Sequence, residues 1–276
     1  MGVCPPCFRF DPAGRHVPQR WNTMKMDRRE RLLRGCPVAS GLGLEFGALA
    51  NPVIRKEEGR IVYVDYTDTG TLRQIAARSP NLIESAVVEV DIDLRRGSLV
   101  DLCLPLGPFD YAVASHVFEH LPNPVGWLRD VSALLVPNGV IALAVPDRRY
   151  TFDFFRSETT AAQLVGYDLQ KWTKPSPVQL CDHFFHVRKV DTPAAWITPP
   201  TIDTTPRHHD DESVARILGR AMAGKHVDCH CTVWTSDHFR RVIPEAIRLC
   251  RLNLRLLQVH DPVPGTNEFI VQFVRI

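Results

Sequence analysis

Eleven histidines are spread over 276 residues. Six of them gather beside acids in one stretch: Asp182-His183, His186, His208-His209-Asp210-Asp211, His226 and Asp228-Cys229-His230-Cys231. An imidazole titrates close to neutral pH, so a histidine can accept the proton of a hydroxyl or amine during a reaction. Asp182-His183 and Asp228-Cys229-His230 each put an acid next to such a base, which makes His183, His230 and Asp182 the candidate catalytic residues. Two other readings stand beside that one. Some of His183, His186, His208, His209, His230 and Cys231 could ligate a metal, since His183 and His186 suit one helix turn, but no contiguous four-ligand signature exists and no metal is expected. In the third reading the histidines are satisfied by core hydrogen bonds or are simply exposed.

A second set of residues has a different chemistry. Gly41-Leu42-Gly43-Leu44-Glu45-Phe46-Gly47-Ala48-Leu49-Ala50-Asn51-Pro52 reads as a short buried strand that breaks into a glycine-containing turn. The next apolar run, Ile61-Val62-Tyr63-Val64, ends in Asp65. A strand, a tight turn and an acid at the tip of the following strand make the nucleotide-binding half of a doubly wound sheet, the acid accepting from the two ribose hydroxyls. Glu45 is unusual for a pyrophosphate site, because a carboxylate there repels phosphate. It suits the ammonium and sulfonium of S-adenosylmethionine (SAM). In Val87-Val88-Glu89-Val90-Asp91-Ile92-Asp93, read as a third strand, Asp91 is placed to meet an adenine amine and Ile92 to pack on the ring.

The elements that must position these groups follow from periodicity. Thr71–Arg78 is a crossover helix, Phe109–His116 a fourth strand, and Pro124–Leu135 a helix with a 3.6-residue apolar stripe and proline near its start. Pro137-Asn138-Gly139 is a turn, and Val140–Asp147 a fifth buried strand. Near-continuous apolar strands separated by helices mean a parallel sheet covered on both faces. From Arg148 to Val233 the pattern becomes irregular and proline-containing, with Ser213–Met222 its clearest helix. It keeps Trp172, Phe184, Phe185 and Trp196 to pack, so it is an insertion and not a linker. Tyr150, Phe152, Trp172 and Trp234 are equally pocket walls or core. Ser236 is expected to cap a helix over Asp237–Leu249, packing through Phe239, Val242, Ile243, Ala246 and Leu249. Strands over Leu254–Val259 and Glu268–Ile276 are joined by a short loop and must be antiparallel neighbours. A βα core of five strands, then helix, strand and terminal antiparallel strand, is the seven-strand class I methyltransferase arrangement.

Composition narrows the function classes. A net charge of +2 gives no reason to invoke nucleic acid or an anionic membrane, and 45% hydrophobic residues suffice for a core. No apolar run reaches the roughly 20 residues of a membrane span, and the N-terminus lacks an apolar signal region. The eight cysteines are dispersed, as expected of reduced thiols in a cytoplasmic enzyme. Cys4-Pro5-Pro6-Cys7 supplies only half of a structural zinc site and belongs to a loose N-terminal extension, followed by a possible helix over Met24–Leu33.

Leu44–Pro52 with Tyr63-Val64-Asp65, and Ser115-His116-Val117-Phe118-Glu119-His120-Leu121 through Ala144–Asp153, resemble bacterial class I SAM-dependent methyltransferases. The nearest resemblance is to a type 11-like subgroup often linked to polysaccharide or secondary-metabolite clusters. Asp182–Phe185, Val227–His230 with Val233-Trp234-Thr235, and Asn267-Glu268-Phe269 resemble it too. The resemblance implies an α/β, seven-strand, doubly wound (Rossmann-like) sheet with a terminal antiparallel strand and an inserted cap. It implies SAM as cofactor, bound through Glu45 and Gly47 at the methionine end, Asp65 at the ribose, Asp91 and Ile92 at the adenine, and Ser115 and His116 over the sulfonium. Ala48 and Leu49 depart from the family's further glycines. The expected division is an extension over 1–30, a SAM-binding core over 31–149, an acceptor-site cap over 150–235, and the last helix and strands over 236–276. The activity implied is methyl transfer to a small polar acceptor, oxygen before nitrogen, with no nucleic-acid or membrane partner. Cyclisation or aminocarboxypropyl transfer from SAM, or a non-catalytic binding role on this fold, are the alternatives. A dinucleotide oxidoreductase is disfavoured, since neither GxGxxG nor Tyr-x-x-x-Lys stands where such an enzyme needs it.

Overall fold

The computed structural model describes residues 27–80 and 82–276. In chain order it contains α1 (Arg28–Leu32), β1 (Leu42–Phe46), β2 (Arg60–Asp65), α2 (Thr69–Ala76), β3 (Ile92–Asp93), α3 (Leu99–Cys103), β4 (Phe109–Ser115) and α4 (Pro124–Leu134). These are followed by β5 (Leu135–Pro146), α5 (Ala161–Leu169), α6 (Pro177–His186), α7 (Thr192–Ala195), α8 (Asp211–Met222), α9 (Ser236–Leu249), β6 (Leu254–His260) and β7 (Glu268–Arg275). Cys4, Cys7 and the expected helix residues Met24–Met26 lie outside the described residues.

The seven strands form one sheet in the order β3-β2-β1-β4-β5-β7-β6. β1 through β5 pair in parallel, whereas β7 runs antiparallel to both β5 and β6. Alternation along the strands divides their side chains between two faces. Leu44, Phe46, Ala112, Ala114, Ile141, Leu143, Val145, Phe269, Val271 and Phe273 join Leu128 and Val131 of α4 and Phe239 and Ile243 of α9 in one core. Tyr63, Tyr111, Val113, Ala142, Ala144 and Ile270 pack on the opposite face with Leu32 and Ile54. The doubly wound α/β sheet with a terminal antiparallel strand is therefore present as expected.

Several local expectations change, among them the expected turn at 137–139, which lies inside β5. The third strand is only Ile92–Asp93, because the Asp91 carboxylate itself accepts the Tyr63 N–H at 2.8 Å, a donor that a longer ladder would pair with a backbone carbonyl. The cap of α9 is Thr235, whose side chain accepts from the His238 N–H, while the buried Ser236 hydroxyl bonds to Asp261 at 2.7 Å. Leu249, expected on the buried stripe of that helix, is about half exposed.

The segment between β5 and α9 holds four helices. α5 and α6 begin with capping boxes, Thr160 with Gln163 and Ser176 with Gln179. Leu180, Phe184, Val214, Cys229 and Cys231 form its own small core. The six cysteines among the described residues are unbridged, and no helix there is long and apolar enough to cross a membrane.

Candidate functional site

The order β3-β2-β1-β4-β5 reverses direction between β1 and β4, and the crevice outside the carboxyl ends at such a switch point is where open α/β sheets bind ligands. The predicted cofactor residues lie along this end of the sheet. Gly47 follows β1 at φ +65, a conformation that favours glycine, and a Cβ there would come within 2.6 Å of Val117 Cγ2. Leu49 also takes a left-handed conformation, φ +46, without being glycine. Glu45 is buried, and its two oxygens accept the Val53 N–H at 2.6 Å and the Ile54 N–H at 3.0 Å. Burial pushes its carboxyl up to about 7 despite those two bonds, so Glu45 holds the loop after β1 from beneath.

Asp65 ends β2, is buried, and accepts the Tyr66 N–H at 2.7 Å. Burial raises its carboxyl to about 6. The strand register sets Asp93, not Asp91, beside Asp65. Asp91 is engaged one step back with the Tyr63 N–H and with Lys56 Nζ at 2.7 Å, and Ile92 is half-buried against the core. Asp93 binds the Arg95 guanidinium through both oxygens. Asp91 is the acid expected from the sequence; the register puts Asp93 beside Asp65 instead.

At the end of β4, Ser115 Oγ accepts from Arg28 at 2.7 Å. His116 sits at φ +54, strained for a side chain of that size, with Nε2 2.8 Å from Glu268 Oε2 and Nδ1 3.5 Å from Glu119 Oε1. Burial alone would lower the His116 pKa, but Glu119 and Glu268 carry it up to about 9. Glu268, which burial would raise, is instead drawn down to about 2 by His116 and Arg28. Sequence reasoning missed Glu268 and Arg28, which are distant in the chain and meet only because β7 begins beside the end of β5.

The turn after β4 meets the inserted segment. The Glu119 carbonyl accepts from Cys231 at 2.6 Å and Thr232 at 3.1 Å, which brings His230 beside Glu119 and His120. His230 Nδ1 is 2.5 Å from Asp153 Oδ2, and His120 Nδ1 is 2.8 Å from Asp228 Oδ1. Behind His230 lies Arg156, fully buried, bonded to Asp153 at 2.7 Å, to Asp182 at 2.7 and 2.9 Å, and to the His230 carbonyl at 2.8 Å. His183 Nδ1 accepts the His230 N–H at 3.3 Å. Burial and then the Arg156 charge lower His183 to about 3, so it stays neutral near pH 7. Of the three candidate catalytic residues, His230 reaches the strand ends, whereas His183 and Asp182 surround Arg156. His186 is exposed and bonds the Asp182 carbonyl, and His208 and His209 lie side by side near Phe152 and Phe184. Phe152 packs on His230 with centroids 4.7 Å apart, while Trp234 is core against Phe118 and Phe239, Trp172 stacks on Tyr167 and Tyr150 on Trp196.

Residues 38–192, just over half of the chain, match the family model of a methyltransferase domain. The chain belongs to this methyltransferase-domain family. A protein of Mycolicibacterium smegmatis described as a probable S-adenosylmethionine-dependent methyltransferase is 28% identical over 123 residues, 43% of this chain and 42% of that one. The chain thus spans less than half the length of that relative. A solved S-adenosylmethionine-dependent methyltransferase from Mesorhizobium loti superposes with a TM-score of 0.43 at 16% identity, covering 86% of this chain and 92% of that one. A Rhodobacter sphaeroides protein provisionally described as a zinc-dependent alcohol dehydrogenase gives a TM-score of 0.47 at 15% identity, over 93% of each chain. Both TM-scores lie below 0.5.

Proposed function

We propose that this methyltransferase-family chain binds SAM across the carboxyl ends of β1, β2 and β3 and transfers its methyl group to a small polar acceptor beneath the segment between β5 and α9. One observation supports the reading: a left-handed glycine turn after β1 and a buried acid at the end of the adjacent β2 stand together at the carboxyl ends of the strands, beside the β1–β4 switch point. The residues fit the cofactor. Gly47 allows close approach of the backbone, and the carboxylate of Asp65 would accept from the two hydroxyls of a ribose diol. Glu45 fixes the loop under the methionine end, and Ile92 with the neighbouring strand-end acids faces the adenine end. Ser115 and His116 border the sulfonium side.

In-line displacement at the sulfonium methyl depends mainly on alignment and exclusion of water. Within this reading, His230 is the group that meets the acceptor, with Asp153 orienting its ring. Asp182 and His183 act through Arg156 and the His230 backbone as positioning residues. Oxygen is preferred over nitrogen as the acceptor atom, because an oriented histidine is most useful where a hydroxyl must lose its proton. The subgroup resemblance supports a cytoplasmic role in glycan or secondary-metabolite biosynthesis.

The test is incubation with SAM bearing an isotope-labelled methyl group and a panel of small hydroxyl and amine compounds, read by mass spectrometry. Labelled acceptor and S-adenosylhomocysteine in equal amounts are expected. Methylthioadenosine as the nucleoside product would instead assign chemistry at another sulfonium carbon.

A further inference from the structure

Glu119 is the residue that packing explains least. It is completely buried, and among the described residues neither of its carboxylate oxygens has a hydrogen-bond partner. A buried carboxylate without donors is costly, of the order of several kcal/mol. Yet three imidazoles surround it. Around Oε1 lie His116 Nδ1 at 3.5 Å, His120 Nε2 at 3.9 Å and His230 Nε2 at 4.0 Å.

The latter two separations are informative. A protonated imidazole donating to a carboxylate would close to about 2.7–2.9 Å. Two ligands on one tetrahedral ion, each about 2.0–2.1 Å from it, stand about 3.3–3.5 Å apart. The observed 3.9 and 4.0 Å are too long for hydrogen bonds and about half an ångström wider than a shared ion requires. The donor atoms of Glu119, His120 and His230 all lie within 4.8 Å of one another, and the two rings meet nearly perpendicular, at 85°.

The surrounding shell has the same sense. A metal-bound histidine characteristically gives its other ring N–H to a carboxylate, which fixes the tautomer and turns the remaining lone pair to the ion. His120 Nδ1 meets Asp228, and His230 Nδ1 meets Asp153, leaving Nε2 of both rings on the Glu119 side. Arg156 braces Asp153, and two backbone bonds tie the extended stretch that follows His230 to Glu119. None of this is needed to bind a SAM molecule at β1 and β2.

We propose that Glu119, His120 and His230 bind one first-row divalent transition-metal ion, of the zinc type, at the carboxyl end of β4. Two imidazoles and one carboxylate select such an ion over magnesium or calcium and leave a coordination position for a further ligand. This departs from the expectation of no metal. The ligand set was invisible in sequence because its members come from the turn after β4 and from the far end of the insertion. The ion's role rests on the methyl-transfer reading and would take over the part given there to a free His230, whose two ring nitrogens are then held by Asp153 and the ion: in the open position it would bind the acceptor's hydroxyl or thiol as the anion, its proton passing to solvent, ready to take the methyl group as the carbon–sulfonium bond breaks.

The experiment reads metal, not turnover, and so stands apart from whether SAM binds. Full-length protein is stripped with a chelator and titrated calorimetrically with zinc chloride, in the wild type and in a Cys4→Ser/Cys7→Ser background that removes the N-terminal thiols. One zinc per chain in both is expected. His120→Ala and His230→Ala should each weaken binding at least about 100-fold, and Asp228→Asn, at an exposed supporting position, about 10–100-fold. His208→Ala should bind as wild type, and circular dichroism checks that each variant is folded. Cobalt(II) gives a second readout, its visible d–d bands disappearing in His120→Ala. Failure of folded protein to bind zinc or cobalt(II), binding lost with Cys4 and Cys7, or zinc retained undiminished in His120→Ala and Asp228→Asn, would overturn the site.

Discussion

Arg156→Met tests how the inserted segment is held over the strand ends. The guanidinium is 2% exposed and makes four bonds of 2.7–2.9 Å, to Asp153, Asp182 and the His230 carbonyl. Methionine fills similar length without charge, so the change leaves Asp153, itself 2% exposed, with only His230 as partner. Removing one member of a buried ion pair costs about 3–5 kcal/mol, because the remaining charge stays desolvated. Asp182 is 35% exposed at its side chain, and water can take over its bonds, so Asp182→Asn should cost about 1 kcal/mol or less. Urea unfolding followed by circular dichroism measures both. With a slope of about 3 kcal/mol per molar, the midpoint of Arg156→Met should fall by about 1–1.7 M. Asp153→Asn added to Arg156→Met should recover part of the loss, since no unpaired buried charge then remains. A loss below about 1 kcal/mol for Arg156→Met, or an equal loss for Asp182→Asn, would refute the reasoning.

Two further outcomes follow from the loop after β1. Gly47→Ala forces a Cβ into a left-handed backbone and to within 2.6 Å of Val117. Thermal unfolding should show a loss of about 1–2 kcal/mol together with weaker SAM binding, and an unchanged melting temperature would contradict the strain. Glu45 has a folded pKa of about 7, raised by burial from 4.5. A raised carboxyl favours the folded state fully below about pH 4.5, and that contribution is lost as pH climbs to about 7, a change of about 3 kcal/mol. Stability of wild type minus that of Glu45→Gln, followed by urea unfolding, should therefore decline by that order between pH 4.5 and 8. A flat difference would show that Glu45 is not held in a desolvating pocket.

Much of the sheet was legible from local pattern. β1, β2, β4 and β5 are apolar runs bounded by glycine, proline or acids, and the short 261–267 connection dictated the antiparallel pairing of β6 with β7. What escaped was set by partners distant in the chain. β3 shrank because a side chain, Asp91, took a ladder position. The caps of α5 and α6 were readable in Thr160-x-x-Gln163 and Ser176-x-x-Gln179, a signal that the irregular composition of the insertion obscured. His230 was readable as an acid-flanked histidine, but its partner is Asp153, not the sequence neighbour Asp228, which bonds His120. Asp182 and His183 are adjacent in sequence, yet Asp182 turns to Arg156, and His183 loses basicity to the same guanidinium. Adjacency in sequence gave the residue types. Burial and a single arginine decided their roles.

The central claim, a SAM site at the carboxyl ends of β1 and β2 beside the β1–β4 switch point, is tested most directly by calorimetric titration of SAM and S-adenosylhomocysteine into wild type and Asp65→Ala. Micromolar binding of both ligands, weakened by about 1–3 kcal/mol in Asp65→Ala as a charged hydrogen-bond acceptor is lost, is the predicted result. Absence of binding by either ligand to folded wild-type protein, or equal binding by Asp65→Ala, would contradict it.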